Sequence, residues 1–364
     1  MHNHKKYRTL ILDGKEFPFP ILNDFSKFQT TTSSVPDWGK DIFKFILEWL
    51  NESPTIEAQT SGTTGTPKKI LLEKNKMIAS ALKTGAYFNL KKNDKALLCL
   101  SPNYIAGKMM IVRAFVLGLD LRIVEPRGNP LKDASFEEID FAAMVPLQVM
   151  NSFQNDSTKL LFRKIKKTII GGGVVSKTLH EILQKEKNNF YATYGMTETV
   201  THIAIKKLNG ASANDNYETL ENVAIKKDKR GCLVIDAPDV THGEVVTNDL
   251  VNIISPNQFQ WLGRHDNIIN SGGVKIIPEK VERTLSKFLN QRFFISSQPD
   301  ELLGNRIILI IKGSIFSQKE KEDLSTFMKN NLSKFSVPKE VFFIEKFIET
   351  DSGKIKRTET LNLL

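Results

Sequence analysis

The sequence predicts an α/β protein: a large N-terminal domain on a mainly parallel sheet with a β-rich subdomain, then a small α+β C-terminal domain. Three observations carry this. Short apolar runs alternate with segments of helical periodicity as far as Lys187, the pattern of strands linked by crossover helices. From Gly231 the texture changes to short strands separated by turn residues. Beyond Gly263-Arg264-His265-Asp266 helices and strands alternate again at smaller scale, placing a boundary at Asp266 and domains at 1–265 and 266–364.

The elements follow in order. Thr9 to Leu12 reads as an opening strand, and Asp37 to Leu50 as an amphipathic helix, since Trp38, Ile42, Phe43, Phe45, Ile46, Trp49 and Leu50 fall at helical spacing. Lys76 to Phe88 predicts a second helix. Ala96 to Leu100 predicts a buried strand stopped by Ser101-Pro102-Asn103. A helix from Gly107 to Leu117, strands at Leu121 to Val124 and Phe141 to Val145, and a helix around Gln148 come next. The strand Lys167 to Ile170 runs into Gly171-Gly172-Gly173, followed by a helix from Lys177 to Lys187. Short strands are expected at Cys232 to Ile235, Gly243 to Thr247 and Phe259 to Leu262. Helices at Pro278 to Leu289 and Gln318 to Leu332, with strands at Arg306 to Ile311 and Val341 to Ile344, complete the chain.

With 364 residues, 40% of them hydrophobic, the chain can bury a sizeable core. Met1 to Gly14 has only a brief apolar patch, so neither a signal peptide nor membrane insertion is expected, and the cytoplasm is the expected compartment. Cys99 and Cys232 lack metal or disulfide spacing and read as small buried hydrophobes. The net charge of +10 is carried by scattered lysines without interleaved aromatics. That argues for solvated surface and anionic small molecules rather than nucleic acid. A homo-oligomer is compatible with the composition.

Four segments carry chemistry. In Thr60-Ser61-Gly62-Thr63-Thr64-Gly65-Thr66-Pro67-Lys68-Lys69, glycines allow close backbone approach while N–H groups, hydroxyls and Lys68 can meet phosphate oxygens. It is not a Walker A loop, because Gly62 and Gly65 are too close together and Pro67 precedes the lysine. In Tyr191 to Thr199, Tyr194 can stack on a base and Glu198 can hold Mg²⁺. Asp249 can accept from both ribose hydroxyls and Arg264 can donate to ribose or phosphate. Asp351 to Arg357 is a polar turn presenting Lys354.

In this order and at these intervals, from Gln59 to Arg357, the segments resemble the acyl-adenylate-forming superfamily of acyl-CoA synthetases, adenylation domains and luciferases. The resemblance implies that residues Thr60, Ser61, Gly62, Thr63, Thr64, Gly65, Thr66 and Lys68 bind the ATP phosphates. It makes Gly171, Gly172, Gly173 and Tyr194 the adenine site, Thr197 and Glu198 the hydroxyl and Mg²⁺ contacts, and Asp249 and Arg264 the ribose site. Asp266 would be the hinge, Gly272 and Gly273 the pantetheine channel, and Lys354 the adenylation lysine. The large domain would be the adenylate-forming one. The implied chemistry is attack of a carboxylate on the α-phosphorus of ATP, then displacement of AMP by coenzyme A.

Most relatives carry a longer segment before the phosphate loop. Within the superfamily, Tyr104 to Arg113 and Ile169 to Gly173 are most similar to compact bacterial 2-succinylbenzoate–CoA ligases of menaquinone biosynthesis, although a histidine common in relatives just before the glycine is absent, with Tyr104 nearby instead. A second carboxylate on that acid needs a partner once buried, and Arg113, Thr201 and His202 are the candidates. Another aryl or acyl acid, a carrier-loading adenylation enzyme and a non-catalytic nucleotide-binding protein stay open.

Overall fold

The computed structural model describes residues 4–24, 37–59, 69–350 and 353–364. The chain divides into two compact units, Met1–Ala224 with Ile235–Val245, and Ile225–Val234 with Val246–Leu364.

The first unit is organised by a sheet whose strands lie in the order Lys15–Pro18, Thr9–Leu12, Asp120–Ile123, Lys95–Leu98, Ile139–Met144, Ile165–Ile170, Asn189–Gly195, His202–Lys207, Tyr217–Thr219. From Thr9–Leu12 through Asn189–Gly195 every neighbouring pair is parallel; the pairs beyond, at both ends, are antiparallel. Parallel pairing needs crossovers, which Lys74–Phe88, Ile105–Leu117, Pro146–Phe153, Asp156–Phe162 and Lys177–Gln184 supply. Leu97, Ala142, Met144, Ile170, Phe162, Leu179 and Phe190 share one core cluster.

Helix Lys40–Leu50 buries Ile42, Phe43, Phe45, Ile46, Trp49 and Leu50, the face its periodicity marks. Helix Ile105–Leu117 is buried from Gly107 to Val116, so its charged residues Lys108 and Arg113 are buried with it. Gly107 has to be glycine: a Cβ there would lie 2.2 Å from the Ser101 carbonyl oxygen, a backbone atom that cannot step aside. Gly195 is held in the same way, 2.1 Å from the Thr201 oxygen.

In the second unit, Val245–Ser255 and Gln258–Arg264 form an antiparallel hairpin with Asp249 opposite Arg264. A smaller sheet, Phe293–Asp300, Gly304–Lys312 and Glu340–Ile344, packs with helices Pro278–Leu285 and Gln318–Asn331 around Val281, Leu285, Ile295, Leu309 and Leu324.

Several boundaries differ from the sequence expectation. The second helix begins at Lys74 rather than Lys76, because Lys74 is drawn inside by its ammonium donating to the Asn51 carbonyl at 2.8 Å and to Asn51 Oδ1 at 2.9 Å. The strand expected at Gly243 starts at Val245 and continues to Ser255, its register re-set by irregularities after Leu250 and Ile253. Helices expected to reach Lys187 and Leu289 end at Gln184 and Leu285. Strands Thr55–Gln59, Lys69–Glu73, His202–Lys207 and Phe293–Asp300 were not among the expected elements; their pairing is set by neighbours in space.

Gly107→Ala is expected to lower stability by about 2–3 kcal/mol, the cost of overpacking against backbone. Gly243→Ala, with open space around its Cβ position, should cost about 1 kcal/mol from its φ of +79° alone. Denaturant unfolding of both variants tests the contrast.

Candidate active site

In the first unit several candidate residues lie at the carboxyl ends of adjacent parallel strands, where open α/β sheets place ligands. Ile165–Ile170 delivers Gly171 to Gly173, and Asn189–Gly195 delivers Tyr194 and the short 3₁₀ turn Thr197–Thr199. A Cβ on Gly171 would lie 2.6 Å from Thr193 Oγ1 of the neighbouring strand, and Gly172 adopts a φ of +74°. The Tyr194 ring lies 5.8 Å from that of Tyr217. Thr197 is buried and Glu198 exposed. An exposed carboxylate suits Mg²⁺, which keeps several waters and takes one or two protein carboxylates beside substrate phosphates.

After Glu198 the backbone is strained. Val200 has φ +65° and ψ −62°, and the Thr201 amide donates to the Thr199 carbonyl at 2.7 Å, a γ-turn of the rarer hand centred on a β-branched residue. This turn starts the strand His202–Lys207 and brings Thr201 and His202 against Arg113.

Arg113 is 2% exposed. Its Nε donates to Thr84 Oγ1 at 3.3 Å and its Nη2 to Thr201 Oγ1 at 3.4 Å, while Nη1 meets the Met110 thioether at 3.6 Å. Among the described residues no carboxylate pairs with it. Burial lowers its pKa to about 10, so it remains a cation at neutral pH. His202 is also buried, with Nε2 3.3 Å from Thr84 Oγ1; burial first and the Arg113 charge second push its pKa well below the usual value, leaving a neutral imidazole. The three acid-site candidates, Arg113, Thr201 and His202, are therefore together. Sequence reading missed Thr84 and Ser80, which join them. Their signal was two hydroxyls four residues apart on one helix face otherwise lined by Met77, Ile78 and Ala81.

The second unit holds the other group. Asp249 is buried; its Oδ1 accepts from Trp261 Nε1 at 3.0 Å and lies 3.8 Å from Arg264 Nη1. Asp266 accepts from Arg264 Nη2 at 3.0 Å and from Asn248 Nδ2 at 3.1 Å. Lys354 joins this group: burial lowers its pKa, the Arg264 charge lowers it further, and Asp249 opposes both. The turn carrying Lys354 is braced by Arg292, which donates to Glu349 Oε1 at 2.6 Å and to the Gly353 carbonyl at 2.9 Å. Trp261 and Arg292 carry no sequence signature for these contacts. Gly272 and Gly273, with φ of +57° and +79°, form the tight turn between Ile269–Ser271 and Val274–Ile276, a local requirement for glycine.

The phosphate-type segment Thr60 to Lys68 lies outside the described residues. The strands on either side of it, Thr55–Gln59 and Lys69–Glu73, pair antiparallel with Gln59 opposite Lys69.

Residues 51–247 match the family model described as AMP-binding enzyme, and the chain belongs to that family. It is 34% identical to an acyl-CoA synthetase (AMP-forming)/AMP-acid ligase II-like protein from Dyadobacter fermentans, whose crystal structure aligns over 93% of this chain and 97% of that one with a TM-score of 0.63. A 2-succinylbenzoate–CoA ligase of Bacillus cytotoxicus is 26% identical over 350 residues, covering 86% of this chain and 71% of the relative. The o-succinylbenzoate coenzyme A synthetase of Bacillus subtilis, solved with ATP and magnesium, shares the fold at 18% identity, with a TM-score of 0.69 over 93% of this chain and 77% of that one.

The Lys354 ammonium is expected to titrate below the ordinary lysine range. Arg264→Met should raise its pKa by removing a neighbouring positive charge. NMR titration of the reductively ¹³C-methylated protein, with Lys354→Arg to assign the signal, checks both.

Proposed function

We propose that this chain is an AMP-forming acid–CoA ligase that converts 2-succinylbenzoate to its CoA thioester through an acyl-adenylate, in menaquinone biosynthesis and in the cytoplasm. The observation that carries the choice of acid is Arg113, a buried cation with hydroxyl and thioether partners but no carboxylate among the described residues. A buried charge needs a counter-charge, and 2-succinylbenzoate brings one, because its aromatic carboxylate is idle while the aliphatic one reacts. The 2-succinylbenzoate–CoA ligases among the relatives support the same reading.

In the first step the acid's carboxylate oxygen bonds to the α-phosphorus of ATP and pyrophosphate departs. Lys354 supplies positive charge where negative charge gathers on the phosphate and carboxylate oxygens, the place at which a fixed cation lowers the barrier most. Thr60 to Lys68 would cradle the phosphates; Gly171 to Gly173 and Tyr194 would hold the adenine, and Asp249 with Arg264 the ribose. Glu198, with Thr197 beside it, would hold Mg²⁺, which neutralises phosphate charge when bound. In the second step the CoA thiol adds to the acyl carbon, its proton is lost and AMP leaves. For that step we assign Asp266 as the hinge that withdraws Lys354, and Gly272 and Gly273 as the passage for the pantetheine arm. The thiol of a carrier protein in place of CoA is the competing acceptor.

Pyrophosphate release should be selective for 2-succinylbenzoate in a panel with benzoate, a medium-chain fatty acid and acetate; turnover of another acid alone would discard the substrate but keep the chemistry. Arg113→Ala should raise KM for the diacid by about tenfold or more, the scale of a lost charge-assisted contact, with a much smaller change for ATP. Lys354→Ala should abolish adenylate formation while leaving thiolysis of supplied acyl-adenylate largely intact. Equal loss of both half-reactions would rule out a lysine that serves one step only.

A further inference from the structure

We propose that Thr84 is a specificity-determining positioning residue, which clamps one edge of the Arg113 guanidinium with a neutral hydroxyl so that the other edge receives a carboxylate of the acid. The inference rests on the acid–CoA ligase reading above.

Thr84 has one hydroxyl hydrogen, which goes to the Ser80 carbonyl at 3.0 Å. Its lone pairs must therefore accept, one from Arg113 Nε at 3.3 Å and one from His202 Nε2 at 3.3 Å. That fixes His202 as the tautomer protonated on Nε2, with Nδ1 left as an acceptor. The same edge of the guanidinium is completed by Nη2 donating to Thr201 Oγ1, itself 3.1 Å from Ser80 Oγ.

A guanidinium has five N–H groups. Two are taken by the hydroxyls and one faces the Met110 thioether. Among the described residues this leaves one hydrogen on each terminal nitrogen, the number with which arginine grips a carboxylate end-on. Aspartate or glutamate in place of Thr84 would orient the fork but cancel its charge. A hydroxyl orients it and leaves the charge for the ligand. The neutral His202 adds no second cation, so the site suits one carboxylate, and the acid class it selects carries a carboxylate besides the one activated.

Thr84→Val keeps the side-chain shape and removes the hydroxyl. With pyrophosphate release as readout, 2-succinylbenzoate is compared with 4-oxo-4-phenylbutanoate, the same acid without its ring carboxylate. The KM ratio of diacid to monoacid should rise by about tenfold, the scale of one hydrogen bond to a charged group. The kcat for the diacid should stay within about threefold, and Thr84→Ser should restore the ratio. An unchanged ratio overturns the positioning role while leaving the ligase reading intact. A wild-type protein that releases pyrophosphate with neither acid overturns both. Independently of activity and of whether the variant folds, ¹⁵N NMR of the wild-type protein should show His202 protonated on Nε2 and bare on Nδ1. The opposite tautomer overturns the hydroxyl accounting.

Discussion

A cation buried, among the described residues, without an anion is the constraint around which the first unit is arranged. Moving a guanidinium out of water costs several kcal/mol even after relaxation, and hydroxyls return only part of that. Helix Ile105–Leu117 carries the charge inward because nearly all its other positions are apolar and its glycine lets it lie against the Ser101 carbonyl. Helix Lys74–Phe88 answers with Ser80 and Thr84, and the turn after Glu198 answers with Thr201 and His202. Three segments distant in sequence are thus held to one another by the need to solvate Arg113.

The second unit solves a different electrostatic problem. Asp249 and Asp266 are interleaved with Arg264 and Lys354, so opposite charges alternate, and neutral donors from Trp261 and Asn248 fix the carboxylate orientations. Burial makes the Lys354 ammonium easier to deprotonate, while the Asp249 charge holds part of the proton affinity in place. Among the described residues the two units therefore carry contrasting sites: one with a buried cation that no carboxylate pairs, the other with balanced charges whose geometry is set by their neighbours.

Much of this was legible in the sequence because it rests on local rules. Helix Lys40–Leu50 showed itself by periodicity, and the strand Ile165–Ile170 by an apolar run stopped at glycines. Arg113 could be singled out as a charge within an apolar helix, yet its sequence context was equally that of a solvent-facing arginine; only packing decided the matter. Thr84 was hidden, since a threonine in a helix is ordinary until the residue across from it is known. Strand His202–Lys207 was also hidden, because its pairing begins from a strained turn at Val200, a residue whose type argues against that conformation.

The neutrality of His202 has a consequence for the cell. A histidine beside an arginine would ordinarily gain charge as the surroundings acidify, and an anion pocket built that way would tighten under acid load and loosen when it lifts. Here burial keeps the imidazole uncharged and leaves the guanidinium charged, so the proposed hold on a carboxylate would be indifferent to metabolic swings in proton concentration. What does vary is the acid itself. For the proposed dicarboxylate, binding would then follow its concentration and not the acidity of the fluid that delivers it.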